Sequence, residues 1–272
     1  MKILVTAKRI PDPDENLKIA NGAIDTSASK WVPNAFDEYA VETALRLAEH
    51  VGSKDRLAEI VVLSICPKDK KQHLTQFLAM GADRGIIVDA DDTALDAQSV
   101  AKLIAGVFKK ESCDLLIAGK LSQDAEGNEV AQRVAGLLNL PQATFGATVN
   151  WNRDGKTLAV AREVEDGVET KQIPLPSVLS VDLRIVLPTS VVNNATAADH
   201  KYQEGPRLAS LRGITMAKRK KVDVLTPADL GVSAGLGVAL AGVQPPPARA
   251  AGQIVESPEQ LVEKLATEAK VL

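Results

Sequence analysis

The sequence is poor in aromatic residues, which make up 3% of its 272 residues, so any core must be built from aliphatic side chains. Its two cysteines, Cys66 and Cys113, lie in or beside apolar runs. Two thiols do not make a disulfide framework, and the better interpretation is buried free thiols in a reducing compartment. No apolar run reaches the roughly 18 residues that span a bilayer, so no membrane span is expected. A strand pattern follows Met1 almost at once, which predicts that no cleaved signal segment is present.

A basic excess is also absent. The chain carries 32 Lys and Arg against 35 Asp and Glu, a net charge of -3, which argues against a nucleic-acid-binding protein. The basic run at 218–221 is therefore interpreted as a patch that steers an acidic partner surface. The histidines, His50, His73 and His200, are dispersed and show no metal-ligand spacing. No convincing catalytic nucleophile or general base is recognisable.

Two phosphate-binding motifs are missing as well. The first strand is followed by Ala7, Lys8 and Arg9 rather than by a glycine-rich loop. The run Gly235-Leu236-Gly237 has the wrong spacing for a dinucleotide fingerprint and is interpreted as linker. No Walker A sequence occurs. These absences argue against a nicotinamide dehydrogenase and against a P-loop ATPase.

The first 140 residues alternate between short apolar runs and helical patterns. The runs at 3–7, 58–65, 85–88 and 114–118 are apolar without alternation, as in strands buried on both faces of a parallel sheet. Apolar side chains at three- and four-residue spacing predict helices from Phe36 and over 70–80, 95–108 and 126–138. Strand and helix alternation predicts an α/β fold with a doubly wound, mostly parallel sheet.

After Pro141 the pattern changes to closely spaced strands, predicted at 143–151, 157–164, 168–173 and 178–182. Asp166-Gly167 predicts a tight hairpin turn, because glycine adopts positive φ at little cost. Residues 184–213 show no convincing periodicity, which is typical of a functional loop or a disordered insert. The tail has little core of its own, with Ser257-Pro258 opening a final helix, and we expect it to wrap another chain.

The turn after the fourth strand is the best candidate for a ligand site. In open α/β sheets, ligands bind beyond the carboxyl ends of the strands. The pattern predicts that a helix begins near Glu126, and a helix N-terminus offers free N–H groups to a phosphate. A second interpretation stays open, in which Asp124 simply caps that helix.

Seven segments carry a family resemblance in a fixed order. They are KRIPD at 8–12, NAFDE at 34–38, AMGADRG at 79–85, DLLIAGK at 114–120, REVEDGVET at 162–170, Pro206-Arg207 with Leu211 and Ile214, and TPADLG at 226–231. In this order they resemble the beta subunits of electron transfer flavoproteins over nearly the whole chain. The resemblance implies a Rossmann-like fold of the adenine nucleotide alpha hydrolase type, with antiparallel hairpin strands and an extended C-terminal arm.

The resemblance also implies a function. It implies a heterodimer with an alpha subunit, FAD shared between the two chains, and an adenine nucleotide, usually AMP, inside this one. Such a protein is an electron carrier and not an enzyme. It shuttles electrons from flavin dehydrogenases, such as acyl-CoA dehydrogenases, toward a quinone oxidoreductase. It would be cytoplasmic in a bacterium and lie in the mitochondrial matrix in a eukaryote.

The resemblance divides the chain at residue 184 and assigns its site residues. Residues 1–184 would form the nucleotide-binding domain, and 185–272 a partner-recognition loop with an insertion at 185–205, followed by an arm that wraps the alpha subunit. The nucleotide would contact Thr6, Ala7, Asn34, Ala35, Phe36, Asp37, Ile65, Asp124, Ala125, Glu126, Gly127, Asn128, Glu129, Val130, Ala131, Gln132 and Ala135. Partner dehydrogenases would contact Pro206, Arg207, Leu211, Ile214 and Lys218.

Some positions depart from the family pattern. Leu121 stands where glutamine is usual, Val130 cannot donate a hydroxyl hydrogen bond, and Glu126 and Glu129 would repel a phosphate unless they point away. Three occupants of the site therefore stay open: AMP, a second FAD as in electron-bifurcating members, or no nucleotide. A separate alternative for the whole protein is a stand-alone nucleotide-binding regulator. A nucleotide alpha hydrolase would need a Ser/Gly-rich loop after the first strand, and the chain has none there.

Overall fold

The computed structural model describes residues 1–16, 18–249 and 251–272. These residues divide into two compact units. The larger comprises Met1–Leu17 and Thr26–Leu240, and the smaller Lys18–Asp25 and Ala241–Leu272. The division at residue 184 predicted from the sequence separates functions rather than compact units, and it stays a prediction.

The elements alternate along the first half of the chain and become strand-rich in the second. The strands are β1 (Lys2–Thr6), β2 (Arg9–Pro11), β3 (Lys18–Ala20), β4 (Ala23–Asp25), β5 (Trp31–Pro33), β6 (Glu59–Ile65), β7 (Arg84–Val88), β8 (Leu115–Gly119), β9 (Gln142–Asn152), β10 (Thr157–Val164), β11 (Gly167–Pro174), β12 (Ser177–Val181), β13 (Val191–Val192) and β14 (Val222–Leu225). The α-helices are α1 (Ala35–Ala48), α2 (Leu74–Met80), α3 (Ala97–Glu111), α4 (Val130–Leu138), α5 (Leu211–Ala217) and α6 (Pro258–Lys264).

A ten-stranded sheet runs through the larger unit in the order β11-β10-β9-β12-β8-β1-β6-β7-β14, with β13 beside β9. All neighbours from β9 to β14 in this order are parallel, and β9, β10 and β11 are antiparallel. In the centre, Val5 of β1 pairs with Val62 on one side and Ile117 on the other. All three side chains are fully buried, as the unbroken apolar runs predict.

Helices cover both faces of this sheet. One face packs against α1 and α2 through a cluster that includes Val41, Leu45 and Phe77. The other face packs against α3 and α4 through a cluster that includes Leu103 and Val134. The predicted doubly wound, Rossmann-like α/β fold is confirmed.

The predicted start of the fourth helix at Glu126 is wrong, since α4 begins at Val130. The Glu126 N–H donates to the carbonyl of Ser122 at 2.7 Å, which closes a turn in place of the first helical turn. Glu126 itself has a φ of +50°, a left-handed conformation that interrupts a right-handed helix. The pattern over 70–80 likewise divides into a 3₁₀ turn at Lys68–His73 and then α2.

The acidic hairpin is confirmed. Residues Val164 and Gly167 are paired at the end of β10 and β11, so the turn between them has two residues, and Gly167 has a φ of +143°. Arg162 bonds across the strands to Glu169 at 2.7 Å. This hairpin forms one edge of the central sheet.

The smaller unit contains the β3–β4 hairpin and the end of the chain. The Val243 N–H donates to the carbonyl of Gly22 at 2.8 Å. The α6 helix begins after Ser257, whose side chain accepts from the Gln260 N–H, as the sequence predicts. Exposed apolar side chains in this unit include Ile254, which is 99% exposed, Val271 and Leu272. The expectation that the arm wraps another chain stays a prediction.

Candidate functional site

A cavity of about 410 Å³ lies at the carboxyl ends of the central strands. Thr6 ends β1, Ile65 ends β6 and Gly119 ends β8, and all three line it. The first turns of α1, α3 and α4 complete the wall. This is where ligands bind in open α/β sheets, and the volume falls in the range of roughly 300–1,000 Å³ that small-molecule sites occupy.

One side of the cavity is apolar. Leu95, Val100 and Ile104 contribute from the α3 side, and Leu63, Ile65 and Ala118 from the strands. Such walls bury the flat face of a ring and offer it no competing polar group.

Asp37 is a buried acidic residue of the cavity wall. It is 3% exposed, and its carboxylate accepts from the Thr6 hydroxyl at 2.8 Å and from the Lys8 N–H at 2.7 Å. Burial raises the pKa of Asp37 to about 6, against the opposing effect of these hydrogen bonds. The carboxylate therefore links the end of β1 to the start of α1.

The loop between β8 and α4 is tied to α1 and β1. Asn34 is 1% exposed, donates through Nδ2 to the carbonyl of Leu121 at 3.1 Å and accepts from the Gln123 N–H at 3.2 Å. Lys8 Nζ contacts the carboxylate of Asp124 at 2.7 Å. The interpretation of Asp124 as a helix cap is therefore wrong, because that carboxylate pairs with Lys8, six residues before α4 begins.

The N-terminus of α4 faces the cavity. Its first N–H groups have no acceptor within the helix, and Val130 and Ala131 line the wall. The helix dipole adds positive potential at the same end, which suits an anion. Glu129 contacts Arg133 Nε at 2.7 Å, and Glu126 is exposed to solvent. The arginine and the solvent therefore reduce the repulsion that the sequence predicts between these carboxylates and a phosphate.

Asp96, which lines the cavity at the start of α3, was not among the residues predicted from the sequence. This residue caps α3, accepting from the Ser99 N–H at 2.7 Å, and its second oxygen accepts from the Gly237 N–H at 2.7 Å. The N–H groups of Ser99 and Gly237 lower the pKa of Asp96 to about 2. The Asp followed by an apolar-periodic helix is an N-cap signal that could have located it.

A second missed contact holds the loop after β7. Arg9 is 8% exposed and makes two 2.7 Å hydrogen bonds to Asp92, which lines the cavity. The guanidinium lies 4.0 Å from the centre of the Trp31 ring. A buried, two-pronged pair of this kind fixes geometry more tightly than a lysine could.

Most of the residues assigned to the nucleotide come together here. Those that line the cavity are Thr6, Ala7, Asn34, Asp37, Ile65, Ala125, Gly127, Asn128, Glu129, Val130 and Ala131. Ala35 donates to Gln123 from its N–H, Phe36 packs against Gly119, and Asp124 and Glu126 belong to the adjoining turn. Ala135 lies on the face of α4 that is buried in the core. Gln132 has a buried Oε1 without a hydrogen-bond partner among the described residues.

The residues assigned to partner binding lie in and before α5. Leu211 is 86% exposed and its neighbour Leu208 94%, whereas Arg207 is paired with Glu42 and Glu49. Pro206 and Ile214 are half-buried to exposed, and Lys218 ends the helix. The basic run at 218–221 is not uniformly a surface patch, because Lys220 Nζ donates to the carbonyls of Leu78 and Ala82.

Two kinds of feature are not found in residues 1–16, 18–249 and 251–272. No helix in that part of the chain has the length and apolarity to cross a bilayer. The same residues contain no cluster of three or more His, Cys, Asp or Glu side chains arranged to hold a metal ion.

Comparison with known proteins gives one consistent answer. A family model described as "Electron transfer flavoprotein domain" matches residues 21–230. A relative from Dictyostelium discoideum, "Electron transfer flavoprotein subunit beta", is 36% identical over 273 residues, covering 100% of this chain and 99% of the relative. The human protein of that name is 35% identical over 270 residues, covering 97% and 96%. A rice relative, named with the addition "mitochondrial", is 36% identical over 277 residues, covering 100% of both.

These names describe electron carriers rather than enzymes. The family match spans α1, α3, α4, β6 and β8, which line the cavity, and also the segment that carries α5. The Dictyostelium relative aligns over the whole chain and so includes β1 as well. The chain therefore belongs to the family of electron transfer flavoprotein beta subunits.

Proposed function

We propose that the cavity holds AMP. The observation that carries this proposal is the pairing of an apolar wall with the free N-terminus of α4 in one cavity of about 410 Å³. A purine ring fits the apolar side and a phosphate fits the helix end. Thr6, Asn34 and Asn128 add polar residues to the lining. The residues present thus fit an adenine nucleotide, although Val130 supplies no hydroxyl.

We also propose that this chain and an alpha subunit bind FAD jointly. The flavin supplies the redox chemistry, and this chain contributes binding and orientation. The exposed apolar side chains after residue 235, among them Leu236, Val238 and Leu240 in the larger unit, support a surface that another chain covers. The resulting heterodimer carries electrons from flavin dehydrogenases, such as acyl-CoA dehydrogenases, toward a quinone oxidoreductase.

The docking surface for those dehydrogenases is proposed at α5. Leu211 and Leu208 stand out as apolar side chains with little cover, and Arg212 beside them is exposed. An apolar anchor surrounded by charge suits a transient interface, because the anchor supplies affinity and the charge speeds association.

Leu211→Ala is expected to slow electron delivery from a partner dehydrogenase about tenfold, because truncating an interface anchor costs on the order of 1–2 kcal/mol. The flavin absorption spectrum should be unchanged. Stopped-flow reduction of the heterodimer measures the rate. Leu137→Ala, at a half-exposed leucine on α4, is the control and should transfer at the original rate. An unchanged rate of flavin reduction in Leu211→Ala would contradict the proposed docking surface.

Asp124→Ala combined with Asn128→Ala is expected to lower the nucleotide content of the purified protein. The first change removes the contact with Lys8 that ties the β8–α4 loop, and the second removes a polar group from the cavity wall. Nucleotide released by acid and quantified by chromatography gives the measurement. Asp154→Ala, in an exposed turn, is the matched control. Equal retention in the double variant and the control counts against the site.

Native mass spectrometry of this chain, co-expressed with its genomic neighbours, tests the whole proposal. The expected species is a one-to-one complex with an alpha-like chain, carrying one FAD and one AMP. Two FAD masses would indicate a bifurcating member instead. A monodisperse single chain with nucleotide and no flavin would overturn the carrier proposal in favour of a stand-alone regulator.

The cellular location is proposed by analogy. The rice and Arabidopsis thaliana relatives are named mitochondrial. We place this chain in the mitochondrial matrix if its host is a eukaryote and in the cytoplasm if it is a bacterium. Fractionation followed by immunoblotting checks this.

A further inference from the structure

The segment before α5, residues 185–207, is held by one buried arginine on α1. Arg46 is 1% exposed. Its Nη1 donates to the carbonyl of Leu187 at 2.8 Å, and its Nη2 donates to those of Gln203 at 2.8 Å and Gly205 at 3.1 Å. One guanidinium therefore binds the backbone near both ends of the segment and closes it into a loop.

A buried carboxylate continues this network to the docking surface. Glu42, one turn earlier on α1, is 2% exposed and accepts from Arg46 Nε at 2.8 Å. It also accepts from Arg207 Nε at 2.7 Å and from the Arg207 N–H at 3.2 Å. Arg207 immediately precedes Leu208, so the network ends at the first of the two exposed leucines.

The segment has further contacts with the end of α1. Asn193 is 3% exposed and its Nδ2 donates to the carbonyl of Arg46 at 2.9 Å. The Tyr202 ring lies 4.8 Å from the Arg46 guanidinium carbon. These contacts keep the segment ordered although it contains no regular element longer than four residues.

A separate anchor holds α5. A Cβ on Gly213 would lie 2.4 Å from the carbonyl oxygen of Ala79, so α5 packs directly against the backbone of α2. Residues 208–210 therefore form a short connection between two fixed points. One is Arg207, which is paired with Glu42 of α1, and the other is α5, which packs on α2 at Gly213. Leu208 projects from that connection and Leu211 from the helix that follows.

We propose that Arg46 is a positioning residue for dehydrogenase docking. It is buried and acts through Arg207 and the carbonyls of the loop, which it holds in the conformation that presents the two leucines. This inference rests on the proposed function of α5. A loop that is already ordered before association loses little conformational entropy on binding. Arg46 therefore contributes to the apparent affinity and not to the electron-transfer step.

The test uses the full heterodimer with FAD, an acyl-CoA dehydrogenase from the same organism and octanoyl-CoA as electron source. Arg46→Lys keeps the charge but lacks the planar fork that reaches three carbonyls and Glu42. We expect the KM for the flavoprotein to rise about tenfold, with kcat changed less than about twofold. A merely structural role would lower the yield of flavin-loaded complex and leave the KM of that complex unaltered.

Two further variants separate the possible failures. Arg207→Gln weakens the same anchor at a partly exposed position, and we expect a KM rise of about threefold even if Arg46→Lys fails to assemble with flavin. An unaltered KM in the variants that assemble, while Leu211→Ala raises it, would overturn the role of Arg46 and leave the docking surface intact. If Leu211→Ala also leaves the KM unaltered, the proposed docking surface is wrong, and so is the role of Arg46 that depends on it.

Discussion

Replacing Gly119 by alanine is expected to lower the free energy of unfolding by about 3 kcal/mol and to abolish nucleotide retention. A Cβ at this position would lie 2.6 Å from Phe36 Cβ and 2.8 Å from the Phe36 carbonyl carbon. The clash is with backbone, so α1 must move away from the end of β8, which is a costly form of overpacking. Asn34 and Asp37 lie at the start of α1 and would leave the cavity wall with it.

Chemical denaturation and nucleotide quantification measure these two effects. Gly136→Ala is the matched control, because that glycine lies within α4, is exposed and has nothing within 4 Å of the added Cβ. The control should raise the free energy of unfolding by about 1 kcal/mol, since alanine favours a helix interior over glycine. A Gly119→Ala variant that unfolds at the same denaturant concentration as the original protein would contradict the expected clash with α1.

The free energy of unfolding is expected to depend on pH through Asp37. Its pKa is about 6 in the folded protein against an ordinary 3.8, so between these values the folded state binds more protons than the unfolded state. The contribution of this group to the free energy of unfolding therefore declines as pH rises from about 4 to 6 and is constant above. A difference of about two pH units corresponds to about 3 kcal/mol over that window.

Denaturation of the original protein and of Asp37→Asn across this window isolates the contribution. The variant offers one acceptor oxygen in place of the two that bind the Thr6 hydroxyl and the Lys8 N–H, which lowers its free energy of unfolding by an offset separate from the titration of Asp37. The difference between the two proteins should still change with pH in the stated direction. A carboxyl ¹³C titration of Asp37 provides an independent check. An ordinary midpoint near pH 4 in that titration would refute the expected dependence.

The strands β1, β6, β7 and β8 could be predicted because each consists mainly of an apolar run without alternation. The run at 58–65 became Glu59–Ile65, and the pattern at 157–164 became β10 without change. β14 could not be found this way. It has four residues, none of them fully buried, and its identity as a strand depends on pairing with β7, far earlier in the chain.

Part of the site could likewise be predicted from the sequence and part could not. The position of the cavity at the strand ends and its contact with Thr6, Asn34 and Val130 agree with the expected location. Lys8, Asp92 and Asp96 were missed, because each acquires its role from a partner in another element. The start of α4 was misplaced because the left-handed conformation of Glu126 is set by the turn and not by apolar spacing.

The arrangement of the cavity along the chain has a consequence for the order of synthesis. Every residue of the cavity wall lies between Thr6 and Ala131, in the first half of the 272 residues. The segment 185–207 that Arg46 binds and the helices α5 and α6 are all translated later. On a ribosome the cavity wall is thus synthesised before the surfaces proposed to meet other proteins, so the proposed nucleotide would bind during the folding of the nascent chain, ahead of any partner.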